Sequence, residues 1–552
     1  MKRRDFIKAG SAAAAGVLLG CSVSNRFDLI IKNGTIIDGT GAIAFKTDLG
    51  ITGDKITAIA NLSNVAADRI IDAQGFVVSP GFIDIHTHTD YELLVNYKAE
   101  SKLHQGVTTE ISGNCGSSPF PLNDEDLKEI SEDLLERYDL RVNWRTYDGF
   151  IKSLEKTGIS VNYASLTGNG KLRSYVVGKN DVKATADQIN QMKNKLSESM
   201  EMGSFGLSTG LEYAPSSYAS TEELIELCGV VAKKGGIYAT HTRNEEDTVE
   251  EAVDEALTIC RESGASLQIS HLKVCNKANW NKLDGIIEKI EKAFNSGMPV
   301  SADRYPYTAW GTGMSIFLPL WVRQGSTDEV LARLKDPGLA KKFRDDTIKE
   351  ALNIGGWDRI MISNCVSDKN KIWEGKTIDE CLAESDKGPF EFIRILLIEE
   401  RLRVGIVGFA MNEDNLRKVL TSPLVMIGSD GSAVSPHGKL SEGKPHPRYY
   451  GTFPRVLGKY CREEKILDLP SAVKKMTSMP AEKVGLKGRG IIKKNNCADL
   501  VIFDPETVID NATFTDPHKY PAGIEYVVVN GKITIESGQH TGTRSGHVLR
   551  HC

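Results

Sequence analysis

The sequence has little of several things, and each shortage narrows the reading. Its N-terminal apolar run, closing in Leu18-Leu19-Gly20-Cys21, falls short of the ~20 residues that a spanning helix requires. No single charge dominates. The net charge is −5, so nothing points to nucleic acid or an anionic membrane as a partner. There are no long repeats and no low-complexity tracts. The 10 cysteines are scattered without the spacing of a disulfide framework. Cys228, Cys260 and Cys381 sit in helix-like or apolar surroundings and read as small core residues. What is present is an ordinary globular balance, 40% hydrophobic and 26% charged. At 552 residues the chain has room for a barrel of ~250 residues with additions.

Residues 1–21 read as a targeting segment outside the fold. Arg3-Arg4 precedes Asp5-Phe6-Ile7-Lys8 and then an Ala-rich apolar run, the layout of an export signal. The arginine pair resembles a twin-arginine signal, whose pathway carries folded proteins. The ending resembles a bacterial lipobox with Cys21 as the lipidated residue; an ordinary signal cleaved nearby is the alternative. Both place the protein outside the cytoplasm, periplasmic or held at a membrane by a lipid anchor on Cys21.

The segment Gly81-Phe-Ile-Asp-Ile-His-Thr-His-Thr-Asp90 organises the rest. It continues an apolar strand, and strand side chains alternate with a period of two. His86 and His88 therefore project from the same side, which in a closed barrel is the interior. Two neutral imidazoles at a strand end suit one divalent metal, most often zinc. Alone they would equally suit a surface His-Thr-His.

From about residue 77, strands alternate with helical segments, the pattern of βα units around a parallel sheet. Strands are expected at 77–86, 108–115, 162–168, 204–209, 236–242, 266–271, 299–305 and 424–430. Eight is the count for a closed TIM-like (β/α)8 barrel, spanning 77–484. Two further apolar runs, 358–364 and 404–409, end in no candidate ligand and stay outside it. The stretch from about 308 to 370 is too long for an ordinary connection. At the ligand end of a barrel, such an insertion is a lid or a packed excursion. Residues 27–76 and 485–545 are expected to form one small β-domain from both chain ends. Within it, Leu29–Ile37 reads as a hairpin turning at Asn33-Gly34, and Val527–Ile535 as another turning at Asn530-Gly531.

Every site candidate closes a predicted strand: Cys115, His241, His271 and Asp430, besides His86 and His88. Strand ends of a barrel gather at one face, where active sites form. Nitrogen, thiolate and carboxylate are zinc's preferred donors. Each residue has a plain alternative, such as a core histidine for His271 or a turn former for Asp430, but five coincidences at one face would be required.

Several motifs carry a wider resemblance: Gly81 to His88, Gly106-Val-Thr-Thr…Gly113-Asn-Cys-Gly116, Ala239-Thr-His-Thr-Arg243, Ile269-Ser-His-Leu-Lys273, Asp303-Arg-Tyr-Pro-Tyr307, Gly428-Ser-Asp-Gly431 and His446-Pro-Arg448. In these the chain resembles the amidohydrolase superfamily, and within it the N-acyl-D-amino-acid deacylases. The resemblance covers essentially the whole chain after the signal. It implies a zinc-dependent hydrolase of N-acyl-D-amino acids. Cys115, His241 and His271 would hold a tight zinc. His86, His88 and Asp430, with Cys115 bridging, would form a weaker second site. Asp430 would be the general acid/base. Lys273, Tyr305 and Arg448 would hold the substrate carboxylate, with Arg448 on a loop in a Pro-bracketed stretch expected not to be helical. The run between Asp430 and His446 is longer than the family pattern. Other readings are an amidohydrolase of D-dipeptides or cyclic amides, and a surface binding protein that has lost catalysis.

Overall fold

The computed structural model describes residues 26–551; the targeting segment expected at 1–21 lies outside the described residues. Eight parallel strands follow one another around the molecule: Phe82–Asp84, Val107–Ser112, Asn162–Ser165 (resumed at Thr167–Gly168), Gly206–Gly210, Ile237–His241, Ser266–Ile269, Val300–Arg304 and Val425–Ile427. Each pairs in parallel with the next, apart from the break at Leu166 in the third. Beyond the first and eighth strands the chain meets again. Thr87 and Gly431 form a parallel bridge, and the Asp430 amide donates to the His86 carbonyl at 2.8 Å. The ring is thus joined at its carboxyl rim by the two segments that carry His86, His88 and Asp430.

Helices cover the outside. Thr221–Lys233 is capped by Ser220, whose hydroxyl accepts from the Glu223 amide, and buries Leu224, Leu227, Cys228 and Val231. Val249–Ser263 ends at Gly264 in the left-handed region and buries Val253, Ala256 and Cys260. Cys228, Cys260 and Cys381 are free and buried, as expected of core residues.

The predicted strand 77–86 is in fact two. Val77–Pro80 joins a seven-stranded sheet with Thr35–Ile36 and Phe45–Lys46 on one side and Leu500–Phe503, Ile524–Val529, Lys532–Glu536 and Gln539–His540 on the other. Phe82–Asp84 enters the barrel. Gly81 makes the transfer: a Cβ there would lie 2.3 Å from the buried side chain of Thr108, so no other residue lets the chain pass so close. The Asn33-Gly34 hairpin does not form. Phe27–Lys32 pairs with Asp48–Thr52 and Ala67–Asp72 in a separate four-stranded sheet, whereas Thr35–Ile36 pairs with residues of the seven-stranded one. Asn33, at φ +61°, is a corner between two sheets. Around Asn530-Gly531 the two-residue hairpin does form, both residues at positive φ and Val529 paired with Lys532.

The insertion is longer than expected. It runs from 308 to about 411, because Gly405–Gly408 pairs antiparallel with both Trp310–Gly313 and Ile360–Asn364. Both surplus apolar runs belong to this small sheet, outside the barrel. Helices such as Pro337–Leu352 and Pro389–Glu399 complete it around an apolar core of its own, including Phe317, Phe343, Ile362, Phe390 and Leu397. At the opposite rim, residues 546–551 cross beneath the strands: the Tyr163 amide donates to the His547 carbonyl at 2.9 Å, and the His551 amide to Gly203 at 2.9 Å.

Candidate active site

The carboxyl ends of the strands converge on one cluster. His86, His88, Cys115 and Asp430 place donor atoms within 4.8 Å of one another, and so do Cys115, His241 and His271. The Cys115 Sγ lies 3.4 Å from His86 Nε2 and 3.6 Å from His271 Nε2. His241 Nδ1 stands 3.0 Å from His271 Nε2. Asp430 Oδ1 is 3.0 Å from His88 Nε2 and 3.4 Å from His86 Nε2. All six predicted donors therefore meet at one place, with Cys115 common to both groups.

Local backbone geometry aims them. Cys115, His271 and Asp430 all take positive φ, +49°, +36° and +52°. Non-glycine residues there cost on the order of 1–3 kcal/mol each. A left-handed step just past a strand end turns the side chain away from the strand's own alternation and toward the barrel axis.

Charges inside the cluster support one another. Burial pushes the Cys115 thiol up, but the charged His86 and hydrogen bonds from His241, His271 and His86 outweigh it and hold the thiol well below its usual range. Burial likewise pulls His88 down, yet hydrogen bonds to Asp430 and Cys115 lift it to about 9. For Asp430, burial is opposed by Arg448, His271 and His88, and the carboxyl stays well below the usual carboxylate value. A thiolate held among histidines is what a zinc site requires. The His protons in the cluster are those that a bound cation displaces. The donor set therefore fits one or two zinc ions. A third group, Glu212, His241 and Glu245, also gathers donor atoms.

Residues outside the expected set fix the donors. Asp303 Oδ1 lies 3.1 Å from His86 Nδ1 and accepts the His271 amide at 2.8 Å. It orients His86 so that Nε2 faces the cluster. Glu245 Oε1 lies 3.0 Å from His271 Nδ1. The wholly buried Lys102 donates to Asp84 at 2.9 Å, to Ser429 Oγ at 2.7 Å and to the Gly431 carbonyl at 2.8 Å. It clamps the exit of the eighth strand, which carries Asp430, against the first. Asp303 stands within one of the sequence motifs and could have been found there. Nothing local to Lys102 marks it.

A cavity of about 700 Å³ opens over the cluster, lined by His88, Cys115, His241, His271 and Asp430 and also by Lys273 and Arg448. Lys273 is buried and donates to Glu245 Oε1 at 2.5 Å. Arg448 Nη1 stands 2.9 Å from Asp430 Oδ2. Arg448 opens the helix Arg448–Arg455 instead of lying in a loop. Pro447 caps that helix from outside, where a missing N–H removes no bond. Tyr305 does not line the cavity. It is fully buried behind Arg448, whose guanidinium lies 4.7 Å from its ring, and its hydroxyl has no hydrogen-bond partner among the described residues. The insertion supplies the far wall through Trp310, Ile316, Phe317 and Leu320.

An α/β barrel with imidazole, thiolate and carboxylate donors gathered at the carboxyl ends of its strands defines a metal-dependent hydrolase barrel. The chain belongs to the amidohydrolase family, whose model matches residues 69–258 and 399–535. D-aminoacylase of Alcaligenes xylosoxydans xylosoxydans is 36% identical over 528 residues, 96% of this chain and 98% of that protein. A solved D-aminoacylase, studied for its binuclear metal centre with one-metal activation and second-metal attenuation, superposes with a TM-score of 0.80 at 36% identity, covering 95% of this chain and 100% of that one. The N-acyl-D-glutamate deacylase of Bordetella bronchiseptica, complexed with zinc and a phosphonate mimic of the reaction's tetrahedral intermediate, does so with a TM-score of 0.80 at 32% identity, again over 95% and 100%.

Proposed function

We propose that this chain is a zinc-dependent deacylase that hydrolyses the amide bond of N-acyl-D-amino acids, releasing a carboxylic acid and a free D-amino acid. The observation that carries the reading is one cavity joining two kinds of group. It holds the shared Cys115 cluster, and it holds two buried cations, Lys273 and Arg448, beside that cluster. The D configuration is supported by the substrates that the similar deacylases are named for.

Cys115, His241 and His271 would hold the tight zinc. His86, His88 and Asp430 would share Cys115 in a second, weaker site. Zinc held there would polarise the amide carbonyl and would lower the pKa of a water to ~7. Asp430 accepts a proton from the attacking water and delivers it to the departing nitrogen. Its depressed pKa keeps it ionised and ready to accept. Arg448 and Lys273 receive the α-carboxylate, exchanging contacts with Asp430 and Glu245 for contacts with substrate. Tyr305 supports the guanidinium from behind.

The test is a panel of N-acetyl-D- and N-acetyl-L-amino acids and D-dipeptides, assayed for released amine on zinc-loaded enzyme. The D-acyl series should be cleaved and the L series not. Metal analysis of Cys115→Ala, His241→Ala and His271→Ala should show most zinc lost, and full zinc in all three would refute the ligand set. We also propose export with lipid attachment at Cys21, supported by the Arg3-Arg4 and Leu-Leu-Gly-Cys signals alone. Cys21→Ser should then leave the membrane fraction of a lipidating bacterial host, and unchanged fractionation would refute the anchor.

A further inference from the structure

The cavity has two ends across the barrel mouth. One is built by Lys273, just past the sixth strand, and Arg448, after the eighth, so it centres on the seventh. In the order of the ring the third strand lies opposite. The helix Asn169–Val176 follows it and puts Lys171 on the cavity wall, beside Ser117, Ser174 and Lys179. A substrate with its carboxylate at Arg448 and its scissile carbonyl over the Cys115 cluster must send its acyl group toward this third-strand side.

Among the described residues, Lys171 stands there without a counter-ion. The acids nearby are already engaged. Lys179 Nζ lies 3.1 Å from Asp126 and 2.7 Å from Glu129, and Ser174 donates to both Asp126 oxygens. No carboxylate among the described residues lies within 4 Å of the Lys171 amine, and it donates no hydrogen bond to any of them. Burial, with the like charge of Lys179, lowers its pKa despite the more distant Asp126, Glu129 and Asp90. Lys171 is half-buried on the cavity wall, and an ammonium partly withdrawn from water without a counter-ion is best satisfied by a carboxylate entering the cavity.

We propose that Lys171 selects the acyl half of the substrate, favouring acyl groups that end in a carboxylate, such as succinyl or glutaryl, over plain alkanoyl groups. The proposal rests on the deacylase reading and adds to it which acid is released. Water adds across the amide: the C–N bond breaks, a C–O bond forms and one proton goes to the nitrogen. The products are a dicarboxylate and the D-amino acid.

The experiment compares kcat/KM for N-succinyl and N-butanoyl derivatives, which match in length, of the D-amino acid cleaved fastest as its N-acetyl form. A charge-assisted hydrogen bond contributes about 1.5–3 kcal/mol, and about 1.4 kcal/mol is tenfold. The wild type should therefore prefer succinyl by at least ~10-fold. Lys171→Met should abolish that ratio and Lys171→Arg retain part of it, with zinc content and Tm confirming that both variants are folded. No preference in the wild type, or a ratio unmoved by Lys171→Met, overturns the proposal while leaving the deacylase reading intact. Failure to cleave any N-acyl-D-amino acid overturns both.

Discussion

At the scale of single residues, Asp430 and Arg448 are tied together. Asp430 serves one metal group only, while the Cys115, His241 and His271 group is complete without it. Asp430→Asn should therefore keep the tight zinc and lower kcat by ~10²–10⁴, the usual contribution of a general acid–base group. Near-native turnover would remove it from the mechanism. Arg448 leads the influences that hold the Asp430 carboxyl down against burial. Arg448→Ala leaves burial less opposed, so the Asp430 pKa rises. The ionised base is then lost at a higher pH than in the wild type, and the acidic limb of the kcat/KM–pH profile, which reports the free enzyme, should move upward. A profile unshifted on its acidic side would show that Arg448 does not tune the base. Glu246, on the cavity wall, is a separate case: burial and the neighbouring Glu350 and Glu212 push it up to about 8. Folding thus disfavours its charge, and stability falls as pH rises from its ordinary value of 4.5 toward about 8. Glu246→Gln should match the wild-type Tm near pH 4.5 and exceed it above pH 8. Parallel Tm curves across that range would contradict the assignment.

At the scale of elements, Gly81 is the joint between the seven-stranded sheet and the barrel. Thr108 is β-branched, stiff and fully buried, so it cannot swing aside for a methyl group. Gly81→Ala should destabilise by about 1–3 kcal/mol, the usual cost of overpacking, and an unchanged Tm would show that the joint is slack. This joint also marks where the sequence stopped being legible. The apolar run 77–86 reads as one strand because burial on both sides hides the change of sheet. The donors were legible because each closes a short apolar strand inside a recognisable motif. The Arg448 helix was not, since a flanking proline reads as a breaker until its place just outside the first turn is known. The Asn33 corner and the Asn530 hairpin begin from the same Asn-Gly pair and differ only in which strands are free to pair. Lys102 and Lys171 carry no local mark: their meaning lies in partners, present or missing, contributed from elsewhere in the fold.

At the scale of the whole molecule, a metal that binds only the folded ring stabilises it by mass action. Chelation should lower Tm and added zinc restore it, whereas Cys115→Ala should respond far less; an equal response would place the stabilising metal elsewhere. The seven-stranded sheet has a different consequence. Val77–Pro80 pairs directly with Leu500–Phe503, so two neighbours in space are separated by most of the polypeptide. At ~5–20 residues per second of synthesis, the early strand waits some tens of seconds on the ribosome for its partner. During that interval its edge is open to any other extended chain. The cell must therefore shield an apolar strand with one open edge through nearly the whole of translation, and crowded expression should convert this into inclusion bodies well before the folded protein reaches its own solubility limit.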